Sequence, residues 1–274
     1  MTRGGSVVVR RSLGRRLKQL RISSGKTWRD VHEAHVASRA KLDRIENGRT
    51  RVSVGDVRAL CFLYDIDDDV VEQLVEQAIN TGGPAWWEEY GDALPSWFAM
   101  YVELESAAST LATWQPSLVP GLLQTPAYQR AVFETYPELD AAYVERQIKL
   151  RTERQRAVLD RDDPLRLTAI IGAEVLAREV GGAGVLAEQR QHLLQMSTRD
   201  HVTVLVLPWS AGAHPAMKGQ FNVLGFDSEA DPDVVYQESD GGGRYVEQSA
   251  TVERFRGMFG ALRKMSLPIE EHTQ

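Results

Sequence analysis

The stretch Ser38-Arg-Ala-Lys-Leu-Asp-Arg-Ile-Glu-Asn-Gly-Arg49 reads as one short helix with its start and stop written into it. Ser38 suits the N-cap, because its hydroxyl can accept an otherwise unpaired backbone N–H of the first turn. Leu42 and Ile45, three residues apart, point inward. Asn47-Gly48 closes the helix, since both residues tolerate a positive φ.

Reading outward, the same logic repeats on both sides. Leu13, Leu17 and Leu20 recur at a spacing of 4 and 3, the apolar stripe of a helix whose other faces carry Arg15, Arg16, Lys18 and Arg21. Ser23-Ser-Gly-Lys26 stops it, with Gly25 suited to a left-handed cap. Thr27 followed by Asp30 is a capping-box pattern with Asp in place of Glu, starting a second helix that runs to about Ala34. On the far side, Ser53 caps a fourth helix with Val54, Val57, Leu60, Cys61 and Tyr64 on one face. Asp67–Asp69 begin a fifth, carrying Val70, Val71, Leu74 and Val75. The expectation is a bundle of five short helices over residues 10–80, preceded by a flexible stretch, 1–9.

Charge divides the chain at the end of this bundle. Residues 1–64 hold 15 Lys and Arg against 5 Asp and Glu, whereas the whole chain holds 32 against 38. A pI near 5.6 conceals a basic segment joined to an acidic body. That asymmetry points to a nucleic-acid surface at one end. The acidic remainder disfavours indiscriminate binding of the whole molecule to DNA. The single cysteine, Cys61, sits among Leu60, Phe62 and Leu63, so a buried thiol is expected, with no intramolecular disulfide and no cysteine-based zinc site. No apolar run reaches the 18 or more residues of a membrane span. A soluble, cytoplasmic, nucleoid-associated protein is the resulting expectation.

Leu13-Gly-Arg-Arg-Leu-Lys-Gln-Leu-Arg21, Thr27-Trp-Arg-Asp-Val31 and the Ser38–Arg49 stretch together resemble the xenobiotic-response-element, or phage-repressor-like, helix-turn-helix family. In such domains the helix after Ser38 enters the major groove of duplex DNA with its N-terminal residues at base edges. The resemblance implies base contacts from Arg39, Ala40 and Arg44, with arginine able to fork onto guanine O6 and N7. It implies phosphate contacts from Arg15, Arg16, Thr27, Trp28, Ser38, Lys41, Asn47 and Arg49, which supply affinity without sequence information. Three departures stand out. Trp28 replaces a glutamine usual after the second N-cap, and Asp43 adds a negative charge to the recognition helix. Val36 stands where the tight turn usually has glycine, after His35, so a strained turn or a different path is expected.

In the acidic half, Thr81-Gly-Gly-Pro84 reads as a linker and residues 85–274 as an α+β domain. Trp86, Trp87, Tyr90, Trp97, Phe98, Tyr101 and Trp114 crowd its start, a density that fits core packing or, alternatively, a ligand-stacking pocket. A helix is expected from about Pro95 to Ala112, carrying Glu103 and Glu105. A proline-rich loop from Trp114 follows, and Thr125-Pro126 starts another helix as N-cap and first residue. A long charged helix spans about Pro137 to Leu159. The period then becomes extended, with strands at Leu165–Ile171, Val202–Pro208, Gly219–Phe226 and Val234–Gln237, helices at Glu188–Met196 and Gln248–Met265, and a turn at Asp240–Arg244. Helices first and strands later indicate α+β and not a Rossmann alternation.

Trp114-Gln-Pro-Ser-Leu-Val-Pro-Gly-Leu-Leu-Gln-Thr-Pro-Ala-Tyr128, Val206-Leu-Pro-Trp-Ser-Ala-Gly-Ala-His214, Gly219-Gln-Phe221 and Val235-Tyr-Gln-Glu238 resemble the C-terminal domain of WhiJ-like actinobacterial regulators, which has no established activity. This resemblance implies a small acidic partner protein encoded nearby, and the helix-turn-helix implies a homodimer on double-stranded DNA. The expectation is a DNA-binding transcriptional regulator whose second half receives a ligand or a partner; the alternatives are an antitoxin-like protein that sequesters a partner and an ADP-ribosyltransferase-like enzyme tethered to DNA. Enzymatic signatures are missing: Gly181–Gly184 has the wrong spacing for a dinucleotide loop, and G-x-S-x-G, Walker A and H-E-x-x-H do not occur. No cofactor and no metal are expected, since His192, His201 and His214 lack ligand spacing. Trp114, His214 and Glu238 remain as candidates for a ligand or partner site, with Glu238 also the one carboxylate placed as in ADP-ribosyltransferase-like folds.

Overall fold

The computed structural model describes residues 5–80, 90, 94, 96–227, 231–239 and 241–272. The chain divides into two compact units, Met1–Glu88 and Glu89–Gln274. The expected linker, Thr81–Pro84, and Trp86 and Trp87 lie outside the described residues.

Among the described residues the first unit is five helices: α1 (Gly5–Ser23), α2 (Trp28–Glu33), α3 (Arg39–Glu46), α4 (Val54–Leu63) and α5 (Asp68–Asn80). Each cap anticipated from the sequence is present. The Thr27 hydroxyl accepts from Asp30 N while the Asp30 carboxylate accepts from Thr27 N, and Ser38 and Ser53 accept from Lys41 N and Asp56 N. Leu13, Leu17, Val31, Leu42, Ile45, Val57, Leu60 and Cys61 form one buried core. Each fully buried leucine or valine contributes on the order of 1.5–3 kcal/mol. The crossing of α1 over α3 is close, since a Cβ on Gly14 would lie 2.4 Å from the Ile45 carbonyl oxygen.

The first helix starts ahead of residue 10, and the turn after α2 takes the different path that the sequence allowed. α1 begins at Gly5, inside the stretch expected to be flexible, and Arg10 from its early turns is buried and donates to the Gly48 carbonyl at 2.7 Å. The tight turn after α2 places its positive φ on His35 (58°), not on Val36. His35 N donates to His32 O and Val36 N to Val31 O, which is a Schellman ending with Ala34 as the C-cap, where the sequence placed the end of the helix. Val36 is thereby free to pack on the core. The same paired hydrogen bonds close α1 at Gly25, α3 at Gly48 and α4 at Asp65.

The second unit is α+β. In chain order it contains α6 (Ser96–Ala107), β1 (Thr110–Gln115), α7 (Pro126–Phe133), α8 (Ala141–Leu159), β2 (Arg166–Gly172), α9 (Ala173–Ala177), α10 (Ala183–Ser197), β3 (Val202–Leu207), β4 (Phe221–Gly225), β5 (Val234–Ser239), β6 (Gly242–Val246), α11 (Ser249–Met265) and β7 (Leu267–Pro268). The seven strands form one sheet in the order β6-β5-β4-β1-β2-β3-β7. β1, β2 and β3 run parallel, while β4, β5, β6 and β7 pair antiparallel. β1 corrects the expectation of a helix to Ala112 and a loop from Trp114. It lies at the centre of the sheet, paired with β2 through Trp114↔Ile170 and with β4 through Trp114↔Phe221. Helices therefore intervene between the first three strands, within a fold that is otherwise α+β. β6 takes up Gly242–Val246, part of the expected turn, and Asp240 lies outside the described residues.

Side-chain alternation gives the sheet two faces. One carries Trp114, Ile170, Leu205, Phe221, Val223 and Val235 and buries them under Val252, Phe255, Phe259 and Leu262 of α11. By register the other carries Thr113, Asn222, Tyr236 and Glu238.

Candidate nucleic-acid interface and the buried cluster of the second unit

α3 is built so that its core side and its outer side differ completely. Leu42 and Ile45 are buried, as is Glu46, whose carboxylate accepts from Arg21 Nε at 2.5 Å and Nη2 at 3.0 Å and so ties α1 to α3. This pairing raises the Arg21 pKa further. Arg39, Ala40 and Arg44 are exposed on the outer side. Their exposure places two positive charges on the solvent side of α3.

The remaining sequence-derived contacts divide in two. Arg16, Thr27, Trp28, Ser38 and Arg49 are exposed, and Arg15 is half-buried. Lys41 and Asn47 already have partners. Lys41 Nζ donates to Asp56 Oδ1 at 2.6 Å, and the Asn47 amide donates to the carbonyl and the carboxylate of Asp43. Burial works against ionised Asp56, but the Lys41 and Ser53 hydrogen bonds outweigh it and hold its pKa below the usual carboxylate value. Arg49 and Asp43 approach to 3.9 Å, so the negative charge on α3 is partly answered within the helix and its cap. Trp28 is 37 % exposed and stands against two guanidinium groups, Arg39 at 5.0 Å and Arg29 at 5.5 Å from the ring centroid.

In the second unit the candidates separate. Trp114 and His214 meet edge to face at 5.3 Å, and Trp114 Nε1 donates to Ala216 O at 3.1 Å. His214 Nδ1 is buried without a hydrogen-bond partner among the described residues. Glu238 lies on the opposite face of the sheet, where Tyr236 donates to its carboxylate at 3.3 Å. The side chain is exposed overall, yet partial burial of the carboxyl end raises its pKa.

Sequence reasoning missed the polar cluster on that second face. Arg154 of α8 donates from Nε and Nη2 to the two carboxylate oxygens of Glu105 on α6, both at 3.0 Å, and their side chains are 5 % and 1 % exposed. Burial lowers the Arg154 pKa, and Glu105 more than restores it. The guanidinium also lies over Phe98 and Tyr101 at 4.9 and 5.7 Å, and Tyr101 continues to Tyr236 at 4.4 Å. Neighbouring Arg151 is pushed down to about 10, by burial first and then by Arg154, and its hydrogen bond goes to the neutral Gln124 amide oxygen. A cavity of about 40 Å³ lies beside the pair, reached by Tyr101, Thr113, Gln115 and Asn222. One signal was available: Glu105 and Arg154 occupy inward positions of otherwise apolar stripes, Glu105 four residues after Tyr101 and Arg154 midway between Leu150 and Val158.

Among the described residues no group of histidine, cysteine and carboxylate side chains could hold a metal ion, and no helix is long and apolar enough to cross a membrane. Residues 12–74 match the family model of a helix-turn-helix domain, and residues 98–273 match that of a domain of unknown function (DUF5753). No curated protein and no solved structure matches the chain.

Proposed function

Because the chain belongs to the DUF5753 family and carries a helix-turn-helix domain ahead of that region, we propose that it is a sequence-specific transcriptional regulator that reads duplex DNA with α3. The observation that carries this reading is the outer side of α3, where Arg39, Ala40 and Arg44 are exposed at the start of a helix capped by Ser38. Arg39 and Arg44 fork onto guanines in the major groove. Arg15, Arg16 and Arg49 meet phosphates, as do the helix starts at Thr27 and Ser38. The narrower kinship, xenobiotic-response-element-like in the first unit and WhiJ-like in the second, belongs to the same proposal.

The regulator acts without catalysis, in the cytoplasm and at the nucleoid. It binds as a homodimer on two half-sites about 34–36 Å apart, the spacing of one helical turn. The second unit receives the signal, from a small ligand or from a small acidic protein encoded nearby. Trp209 and Met217, 71 % and 68 % exposed in the segment between β3 and β4, support a contact of that kind.

Selection of duplexes from a random pool by the full chain tests the reading. The expected product is one sequence motif with two related halves, bound with an affinity that falls steeply with salt. Retention of random duplexes with no enriched motif would refute it. Co-purification from the source cell then separates the two signals, since a protein partner travels with the chain and a small ligand does not.

A further inference from the structure

Trp28 is the first residue of α2 and Arg39 the first residue of α3. α2 contributes Val31, not Trp28, to the buried core. The indole is therefore a large apolar side chain that the fold leaves at its surface, and its neighbours there are the cations of Arg39 and Arg29. A guanidinium over an indole face is attracted by the ring quadrupole and loses part of its rotational freedom. An exposed arginine without such a shelf samples many orientations, and only a few of them present its donor fork to guanine O6 and N7.

We propose that Trp28 is a positioning residue for base recognition: its ring holds the Arg39 guanidinium in the orientation that reads guanine. This inference rests on the reading of α3 as the helix at the base edges. It differs from a phosphate contact by Trp28, for which the indole offers a single N–H donor. A lost phosphate contact weakens binding to every sequence alike. A lost shelf weakens discrimination at the one base pair that Arg39 reads. Because the ring also meets Arg29, its removal frees a second cation, so total affinity falls less than discrimination does.

The test uses the full chain and its selected duplex, together with the duplexes that differ from it at one base pair, titrated at one salt concentration. Trp28→Ala is expected to reduce discrimination at the Arg39 base pair by about 2-fold to about 30-fold, the span of a cation–π contact from exposed to desolvated. Discrimination at the other base pairs stays as in the wild type. Trp28→Phe, which keeps a ring face, restores most of the loss, and Trp28→Gln does not. Adding Arg39→Ala to Trp28→Ala removes less than Arg39→Ala alone, because the two residues act through one contact. Circular dichroism and thermal unfolding verify that each variant is folded, and the phenylalanine and glutamine variants carry the test if the alanine variant is not. A uniform loss of affinity with unchanged discrimination would overturn the inference in favour of a phosphate contact. Discrimination that depends on Arg39 but is indifferent to Trp28 overturns the inference alone, whereas discrimination indifferent to Arg39 overturns the reading of α3 with it.

Discussion

In the first unit Arg39 and Arg44 stand exposed on α3, whereas in the second Arg154 is 5 % exposed and doubly hydrogen-bonded to Glu105. An exposed arginine costs the fold little and can be replaced with effects within about 0.5 kcal/mol. A buried arginine must be matched in charge and in hydrogen bonds, or its desolvation penalty is left standing. The contrast separates two kinds of information. The outer arginines are the ones proposed to meet DNA, and the inner one tells how α6 and α8 are held together. Between them lies Arg21, which is paired with buried Glu46 and fastens the bundle that presents α3.

The contrast breaks first at α3. Arg39→Ala/Arg44→Ala is expected to lower affinity for the selected duplex by about 30-fold to 10⁴-fold, from about 1–3 kcal/mol for each contact. The melting temperature stays within a degree or two, because both side chains are exposed. Fluorescence anisotropy and calorimetry of the same preparation read both quantities.

The reverse pattern is expected for Arg154→Met, which leaves Glu105 buried and unpaired. A loss of about 3–5 kcal/mol in the second unit follows from breaking such a pair. Glu105→Leu/Arg154→Met removes both charges and should recover most of that loss, as urea titrations of the three variants will show. If the single and double variants are equally unstable, the pair is not what the interior of that unit depends on.

Smaller effects sharpen the picture of how α3 is presented. Ser38→Ala deletes the cap that accepts from Lys41 N and costs about 1 kcal/mol. His35→Gly relieves a side chain held at φ 58° and is expected to raise stability by up to about 1 kcal/mol. Asp56 has a lowered pKa, so its pairing with Lys41 stabilises the folded chain above the ordinary carboxylate range of about 4 and is lost as pH falls through the depressed value. Lys41→Met should flatten that acid limb of the stability profile, a change visible in denaturation midpoints below about pH 4.

The first unit was legible because its signals are local. Thr27, Ser38 and Ser53 each satisfy a backbone N–H within three residues, and Gly25 and Gly48 end helices by their own backbone freedom. The turn at His35 and Val36 was legible only in part: the strain expected of a valine at positive φ pointed to a different path, but not to His35 as the residue that carries it. β1 was not legible for the opposite reason. Ala107-Ala-Ser-Thr-Leu-Ala-Thr113 carries neither glycine nor proline to mark where α6 stops, and its part from Thr110 is extended because β2 and β4 flank it from distant parts of the chain. At the candidate sites, the exposure of Arg39 and Arg44 follows from helical period alone. The approach of Arg39 to Trp28 depends on how α2 and α3 cross, and the separation of Glu238 from Trp114 depends on sheet register; neither can be read along the sequence.

Genome-wide occupancy of the native protein, compared with Arg39→Ala/Arg44→Ala in the same cells, tests the central claim most directly. Discrete sites sharing the motif selected in vitro, lost in the double variant at equal protein abundance, are the predicted result. Occupancy without discrete sites, or sites that survive the double substitution, would contradict the assignment of α3 as the helix that reads DNA.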